Sequence, residues 1–327
     1  MNIFLTLDYE LFFGNPTGSA EKCMLQPTEI LRKLSLKYNA PMTYFVDVGY
    51  LIKLEEYKNE NKELAITFNQ IISQLKQLLR EGNDVQLHIH PHWEDCTYEN
   101  GAWNMVTHLH YKLSDFSEFD AEKIVIKYKT KLEQYIGTSV HSFRAGGWCI
   151  QPFNHVKDVF ESQGLKYDST VFEGGFFKSE HYYFDFRNAP KTGRYSFSTD
   201  ITKEDKSGAF TEIPIMGMRY SPLFYWKLYG FGRLKPSRHK MIGDGNFIAQ
   251  PGRKQKHLTK STWNHVAMDG YFASKLKRAT KIAEGQNRSD MVVIGHPKGM
   301  THYAFEQVEK YLKNTTNKHL FKTFRNQ

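Results

Sequence analysis

Short apolar runs that end on an ionisable residue recur along this chain, and they constrain its fold more than any other feature. Residues 2–8 (Asn-Ile-Phe-Leu-Thr-Leu-Asp) read as a buried strand with Asp8 and Glu10 at its exit. Ala40–Gly49, Asp84–His90, Ser142–Trp148, Tyr167–Val171, Phe210–Ile215 and Met291–Pro297 read as further strands or strand ends. Helical stretches fall between them: Thr28–Tyr38 behind Pro27, Ala65–Arg80 before Gly82, Ala121–Tyr135 before Gly137, Asn154–Gln163, Asp269–Ala283 and 304–313. Residues 94–117 read as irregular. Strands alternating with helices predict a parallel sheet, wound or closed, with helices outside. Asp8, the histidines from His88 to His92, Arg144, Asp168 and His296 all fall where a strand stops. In α/β barrels those C-terminal strand ends converge on one mouth, where active sites form.

The densest of these ends is Val85–Trp93, with His88, His90 and His92 at alternate positions. Histidine is the commonest side-chain metal ligand and titrates near neutrality. Pro91 argues against a helix through the cluster, so a strand breaking into a loop is expected. Three imidazoles in five residues predict a metal site over a solvated surface run.

At 327 residues and 40% hydrophobic, the chain is long enough for two domains, although barrels of this size form one. Neither a linker nor an internal repeat is visible, so a single domain over 1–327 is expected, with an insertion near 172–265. The start lacks a basic region, a long apolar core and a cleavage site, and no apolar run approaches 18 residues. Cys23, Cys96 and Cys149 are odd in number, widely spaced and without a CxxC pair. Both points favour a reducing, cytoplasmic setting. The net charge of +9 is local: ten Lys and Arg lie between Arg219 and Lys260 against one acid, Asp244. Aromatic residues are interleaved with them over 216–260. Such a segment suits acidic lipid headgroups at the inner membrane face or the phosphates of a nucleotide- or lipid-linked substrate, held for example by Arg253 and Lys254. A solvated basic loop packed by its own aromatics is an equal alternative. No nucleic-acid module is recognisable, so no nucleic-acid partner is expected.

Taken in order, the motifs resemble those of the polysaccharide deacetylase (NodB-homology, carbohydrate esterase family 4-like) family, from Asp8 to His296. The resemblance implies a distorted (β/α)7-type barrel and metal-dependent removal of an acyl group from an amino sugar. Thr6-Leu7-Asp8-Tyr9-Glu10 is similar to the family's acidic strand end, with Asp8 as general base. Tyr9 stands where the commonest form has a metal-binding aspartate, which passes that role to Glu10, on the same strand face as Asp8; if Glu10 does not bind the metal, Asp8 is the next candidate. Laying Gly82-Asn83-Asp84-Val85 on the lead-in to the family's i, i+4 histidine pair implies His88 and His92 as ligands and leaves His90 as a neighbour. Phe143-Arg144-Ala145-Gly146-Gly147-Trp148 resembles the Arg motif, with Arg144 pairing the base. Asp168 would orient His296, the acid that protonates the leaving amine. Trp93, Gly146, Gly147 and Trp148 are the expected carbohydrate contacts. Zinc is the expected metal, with cobalt, nickel or iron as alternatives. The same barrel suits a hydrolase of another linear C–N bond, such as a formamide or ureide, and the departures at Tyr9 and in the Arg motif leave room for a catalytically silent glycan-binding relative. G-x-S-x-G, Walker and G-x-G-x-x-G motifs are absent.

Overall fold

The first strand, β1 (Asn2–Tyr9), is buried from Ile3 onward and lies between two parallel neighbours, β2 (Met42–Asp47) and the strand Asp290–Gly295. A strand with no solvated face needs no alternation, which is why Ile3-Phe4-Leu5 runs uninterrupted. This computed structural model describes residues 1–248 and 253–327. From β2 the sheet continues through β3 (Asp84–Ile89), Ser142–Ala145, Tyr167–Asp168, Phe210–Glu212 and Tyr195–Phe197. Every pairing along that path is parallel except the last, which is antiparallel. Leu320–Phe321 adds a short parallel contact to the start of β1.

The sheet curls far enough for its two sides to meet. Ile215 bridges Phe172 on one side and Val292 on the other, and Met216 N donates to Val292 O at 3.0 Å. Ala267 bridges Ile294 in the same way. The expected insertion near 172–265 is therefore corrected: residues 195–197 and 210–216 belong to the barrel wall. Single-residue bridges have no periodicity, so the sequence shows no trace of this closure. What does project is the segment between the antiparallel partners Gly217–Tyr220 and Thr262–His265.

Helices cover the outside because each buries one stripe. In α1 (Lys62–Arg80), Leu64, Phe68, Ile71, Leu75 and Leu78 recur at helical spacing and are buried, while the Asn61 side chain caps the N-terminus by accepting from the Glu63 and Leu64 amides. Glu118–Ile136 is capped by Ser117 and ends at Gly137, whose φ of 75° closes the last turn. Two helical expectations shrink. Asn154–Gln163 becomes a 3-10 turn and a helix over Lys157–Ser162, and Asp269–Ala283 begins as 3-10 before Leu276–Gly285. Residues 97–99 and 102–104, expected to be irregular, pair as a small hairpin. Among the described residues no helix is long and apolar enough to cross a membrane.

Near the closure, Arg288 pairs with Glu173, a fully buried carboxylate that also accepts from the Gly217 amide at 3.3 Å. Removing one partner of such a pair leaves the other charge uncompensated. Arg288→Met is expected to cost about 3–5 kcal/mol in urea unfolding, with much of the loss recovered in the Arg288→Met/Glu173→Gln double variant; an additive double variant would contradict the coupling.

Candidate metal and acid–base site

Parallel register brings the polar strand ends side by side. Asp47 at the end of β2 is level with His88, and His88 is level with Arg144. Arg144 is fully buried, and its guanidinium is bound on every side. It donates to Asp8 Oδ1 at 2.6 Å, Thr6 Oγ1 at 2.9 Å, Ser169 Oγ at 3.0 Å and Ser169 O at 2.8 Å. The ring of Phe45 lies 4.2 Å beneath it. Burial works to raise the Asp8 pKa, but Arg144, with His88 and His296, brings it below the usual carboxylate value. A buried carboxylate is thus held ionised.

Two residues on, Glu10 turns into a nest of bases. Its Oε2 lies 2.7 Å from His90 Nε2 and 3.3 Å from His88 Nε2, and its Oε1 is 2.9 Å from Lys298 Nζ. His88 Nδ1 sits 2.7 Å from the Arg144 carbonyl, which can only accept. In the neutral ring that places the proton on Nδ1 and leaves the Nε2 lone pair facing the carboxylate. Neither His90 nitrogen makes an aligned hydrogen bond among the described residues, despite the short approach to Glu10. Burial is the main reason His90 is pushed down to a pKa of about 4, so it is neutral at pH 7. The donor atoms of Glu10, His88 and His90 lie within 4.8 Å of one another. Tetrahedral zinc, with bonds of about 2.0–2.2 Å, needs donor separations of roughly 3.3–3.6 Å. Burial opposes protonation of His88, but Asp8 and Glu10 raise its pKa above the usual histidine value, so a divalent cation held by these two imidazoles and the carboxylate would displace a proton from His88. A second group, Asp8, Glu10 and His296, meets the same proximity.

His90 therefore stands where His92 was expected. Strand alternation puts His88 and His90 on one face, whereas Pro91 starts a 3-10 turn over Pro91–Asp95 and carries His92 aside. His92 is fully buried, stacked on Tyr111 at 5.6 Å and 13°, with Phe13 edge-on at 4.7 Å. Neither of its nitrogens has a hydrogen-bond partner among the described residues.

His296 closes the site from the far end of the wall. Its Nδ1 is 2.7 Å from Asp269 Oδ2, its backbone amide donates to Asp269 Oδ1 at 2.8 Å, and its Nε2 faces Asp8 Oδ2 at 3.6 Å. Burial opposes protonation, but Asp269, Asp8 and Glu10 together raise its pKa above the usual histidine value. Asp168 does not orient it. Asp168 is level with Glu212 on the neighbouring strand, accepts from the Thr170 amide at 2.6 Å and, like Glu212, is raised above the usual carboxylate value by burial. Asp269 takes that place from 27 residues upstream, where the Ala267–Ile294 bridge delivers it. Lys298 was also missed. It is almost fully buried and is held by the Leu11 carbonyl as well as Glu10.

The expected carbohydrate contacts divide. Trp93 is fully buried, donates to Asp47 Oδ2 at 2.6 Å and packs against Gly49, so it is wall rather than surface. Gly146 serves His90: a Cβ there would lie 2.5 Å from His90 Nδ1. Gly147 and Trp148 both have positive φ, and Trp148 is half-buried among Phe172, Phe184 and His265. Lys254 is exposed, with its ammonium 5.2 Å from the Tyr229 ring; the side chain of Arg253 lies outside the described residues.

No family model and no curated protein matches the sequence. Solved structures do match in fold. A Mycobacterium smegmatis protein named as a polysaccharide deacetylase is similar at TM-score 0.51 and 15% identity, over 99% of this chain and 87% of that one. The PuuE allantoinase is similar at TM-score 0.52 and 12% identity, over 99% and 88%. A GH57-type branching enzyme of Pyrococcus horikoshii is similar at TM-score 0.51 and 9% identity, over 99% and 69%. The chain thus has the barrel fold of the NodB-type deacetylases, a fold that also carries other chemistries.

The two histidine sets are separable. His90→Gln is expected to lower zinc affinity at least about tenfold, measured by calorimetry on metal-stripped protein, while His92→Gln leaves it within about threefold. The reverse ranking would restore the i, i+4 pair.

Proposed function

We propose that this chain is a divalent-metal-dependent hydrolase of non-peptide C–N bonds, and that its substrate is an N-acetylated amino sugar or glycan intermediate. The observation that supports it most is one constellation: Asp8 ion-paired to Arg144 and facing His296, beside Glu10, His88 and His90. These are a base kept ionised, an acid kept protonated and a cation site, the three parts that amide hydrolysis needs.

Glu10, His88 and His90 would hold the metal, zinc by default. Bound there, it supplies Lewis acidity for the carbonyl oxygen and makes water acidic enough to be deprotonated near neutrality. Asp8 accepts the proton of the attacking water through Oδ2, since Oδ1 is taken by Arg144. Arg144 keeps that carboxylate in place and ionised before each turnover. His296 gives its Nε2 proton to the departing amine, while Asp269 fixes Nδ1 as the other N–H and stabilises the imidazolium. Lys298 binds the outer oxygen of Glu10 and so leaves the inner one for the cation. Similarity in fold to an allantoinase makes a ureide the leading alternative substrate class.

Metal-reconstituted protein is expected to release acetate from at least one of free, nucleotide-linked or lipid-linked N-acetyl sugars. Asp8→Asn should lower kcat about 10²–10⁴-fold with metal retained. Turnover of a ureide alone would move the substrate class, and metal binding without turnover of either would favour a glycan-binding protein. Asp269→Asn gives a pH test. His296 must be protonated to act, and Asp269 helps raise its pKa above the usual value. Removing that charge lowers the pKa, so the alkaline limb of kcat should move to lower pH. An unmoved limb would show that another group sets it.

A further inference from the structure

The helix Pro222–Leu234 has one face inside the protein and one face bare. Phe224 and Tyr225 point inward, onto Tyr220, Phe272 and the ring of His257. Leu223, Trp226, Gly230 and Leu234 are spaced three or four residues apart and so form one stripe on the other side. Leu223 is 63% exposed, Trp226 59% and Leu234 79%. Trp226 is tethered rather than loose, since its indole N–H donates to the Leu258 carbonyl at 3.2 Å. An exposed stripe of two leucines and a tryptophan is unusual on a soluble surface and marks a place where something apolar docks.

The rim of this stripe identifies the partner. Lys227, Arg233 and Lys235 are exposed on the helix or at its end, and Lys254 and Lys256 are exposed on Arg253–Thr259, the helix whose Leu258 carbonyl Trp226 reaches. Arg238 is left out because Glu306 pairs with it. Asp244, the only acid between Arg219 and Lys260, is engaged by the Ser19 amide at 2.8 Å and hydroxyl at 3.0 Å. A protein partner would have to bring acids to every side of an apolar stripe. An anionic bilayer offers both at once, headgroup charge over hydrocarbon, and Trp is the residue that prefers that boundary. The projecting segment also reaches the mouth of the barrel. Ile242 N donates to the Met300 carbonyl at 2.9 Å, Asn246 N to the Pro16 carbonyl at 2.8 Å, and the 61%-exposed Phe247 packs edge-on against Phe12 at 4.8 Å. Phe12 in turn lies beneath Lys298.

We infer that the Pro222–Leu234 helix and its basic rim form a docking surface for an anionic lipid bilayer. The stripe enters the interface and the lysines and arginines meet the headgroups, with Phe247 at the edge nearest the site. This goes beyond the hydrolase reading and does not depend on it, because binding is measured without substrate.

The test is co-sedimentation of the full chain with vesicles of phosphatidylcholine alone or with about 30% phosphatidylglycerol. Binding to the anionic vesicles is expected at least about tenfold tighter, weakening as salt rises. Leu223→Ser/Trp226→Ser and, separately, Lys227→Glu/Arg233→Glu should each weaken it about tenfold or more with an unchanged thermal midpoint. Leu234→Cys carrying a polarity-sensitive dye should shift to the blue on the anionic vesicles alone; Cys23, Cys96 and Cys149 are all buried and leave the label to position 234. Equal binding to both vesicle types, or no binding to either, overturns the inference. So does a dye shift that follows protein concentration without vesicles, which would assign the stripe to a second copy of this chain.

Discussion

The ion pair of Arg144 and Asp8 is the interaction on which the rest of the site depends. A fully buried guanidinium is costly unless each of its donors finds an acceptor. Here the acceptors come from two separate segments: Asp8 and Thr6 from β1, and the hydroxyl and carbonyl of Ser169 from just beyond Tyr167–Asp168. The arginine therefore works as a tie across the inside of the barrel as well as an electrostatic partner. It also reaches the candidate cation site through its own backbone, because its carbonyl holds His88 Nδ1. One residue thus sets the charge of Asp8 and the tautomer of His88.

Around that tie the buried charges are sorted rather than merely packed. Asp8 and Glu10 are driven towards the ionised form by Arg144 and Lys298, against the effect of burial. Asp168 and Glu212, level with each other on neighbouring strands, are driven towards the neutral form chiefly by burial, to which Asp168 adds its own charge at Glu212. Asp47, also buried, is pushed up to about 7 although Trp93 donates to it. Carboxyls on one barrel mouth are thus divided into ionised ones beside the candidate cation site and protonatable ones away from it.

Much of this was legible because a parallel barrel makes a local signal global. An apolar run ending in an acid, an imidazole or a guanidinium states both a strand and a direction, and Asp8, Glu10, His88, Arg144 and His296 all meet as that pattern implies. His90 against His92 was a different kind of question. The i, i+4 spacing and the two-residue alternation of a strand pick different pairs, and only the position of the break decides between them. Pro91 breaks the strand one residue after His90 enters the site, so alternation holds up to His90 and fails at His92. Asp269 and Lys298 had no signal at all, since their partners are 27 and about 290 residues away in sequence.

By itself, then, the order of residues determined the alternation of strands and helices, the identity of most polar side chains that meet at the strand ends, and the confinement of positive charge to one segment. Each of these depends on near neighbours: period, capping, or a count of charges. Only the tertiary structure decided how the barrel closes through Ile215, which imidazole joins Glu10, which acid holds His296, and that Leu223, Trp226 and Leu234 face outward. Those are contacts between segments far apart in the chain, or the absence of one, and a buried carboxylate takes its partner from whatever the folded wall places within about 3 Å of it.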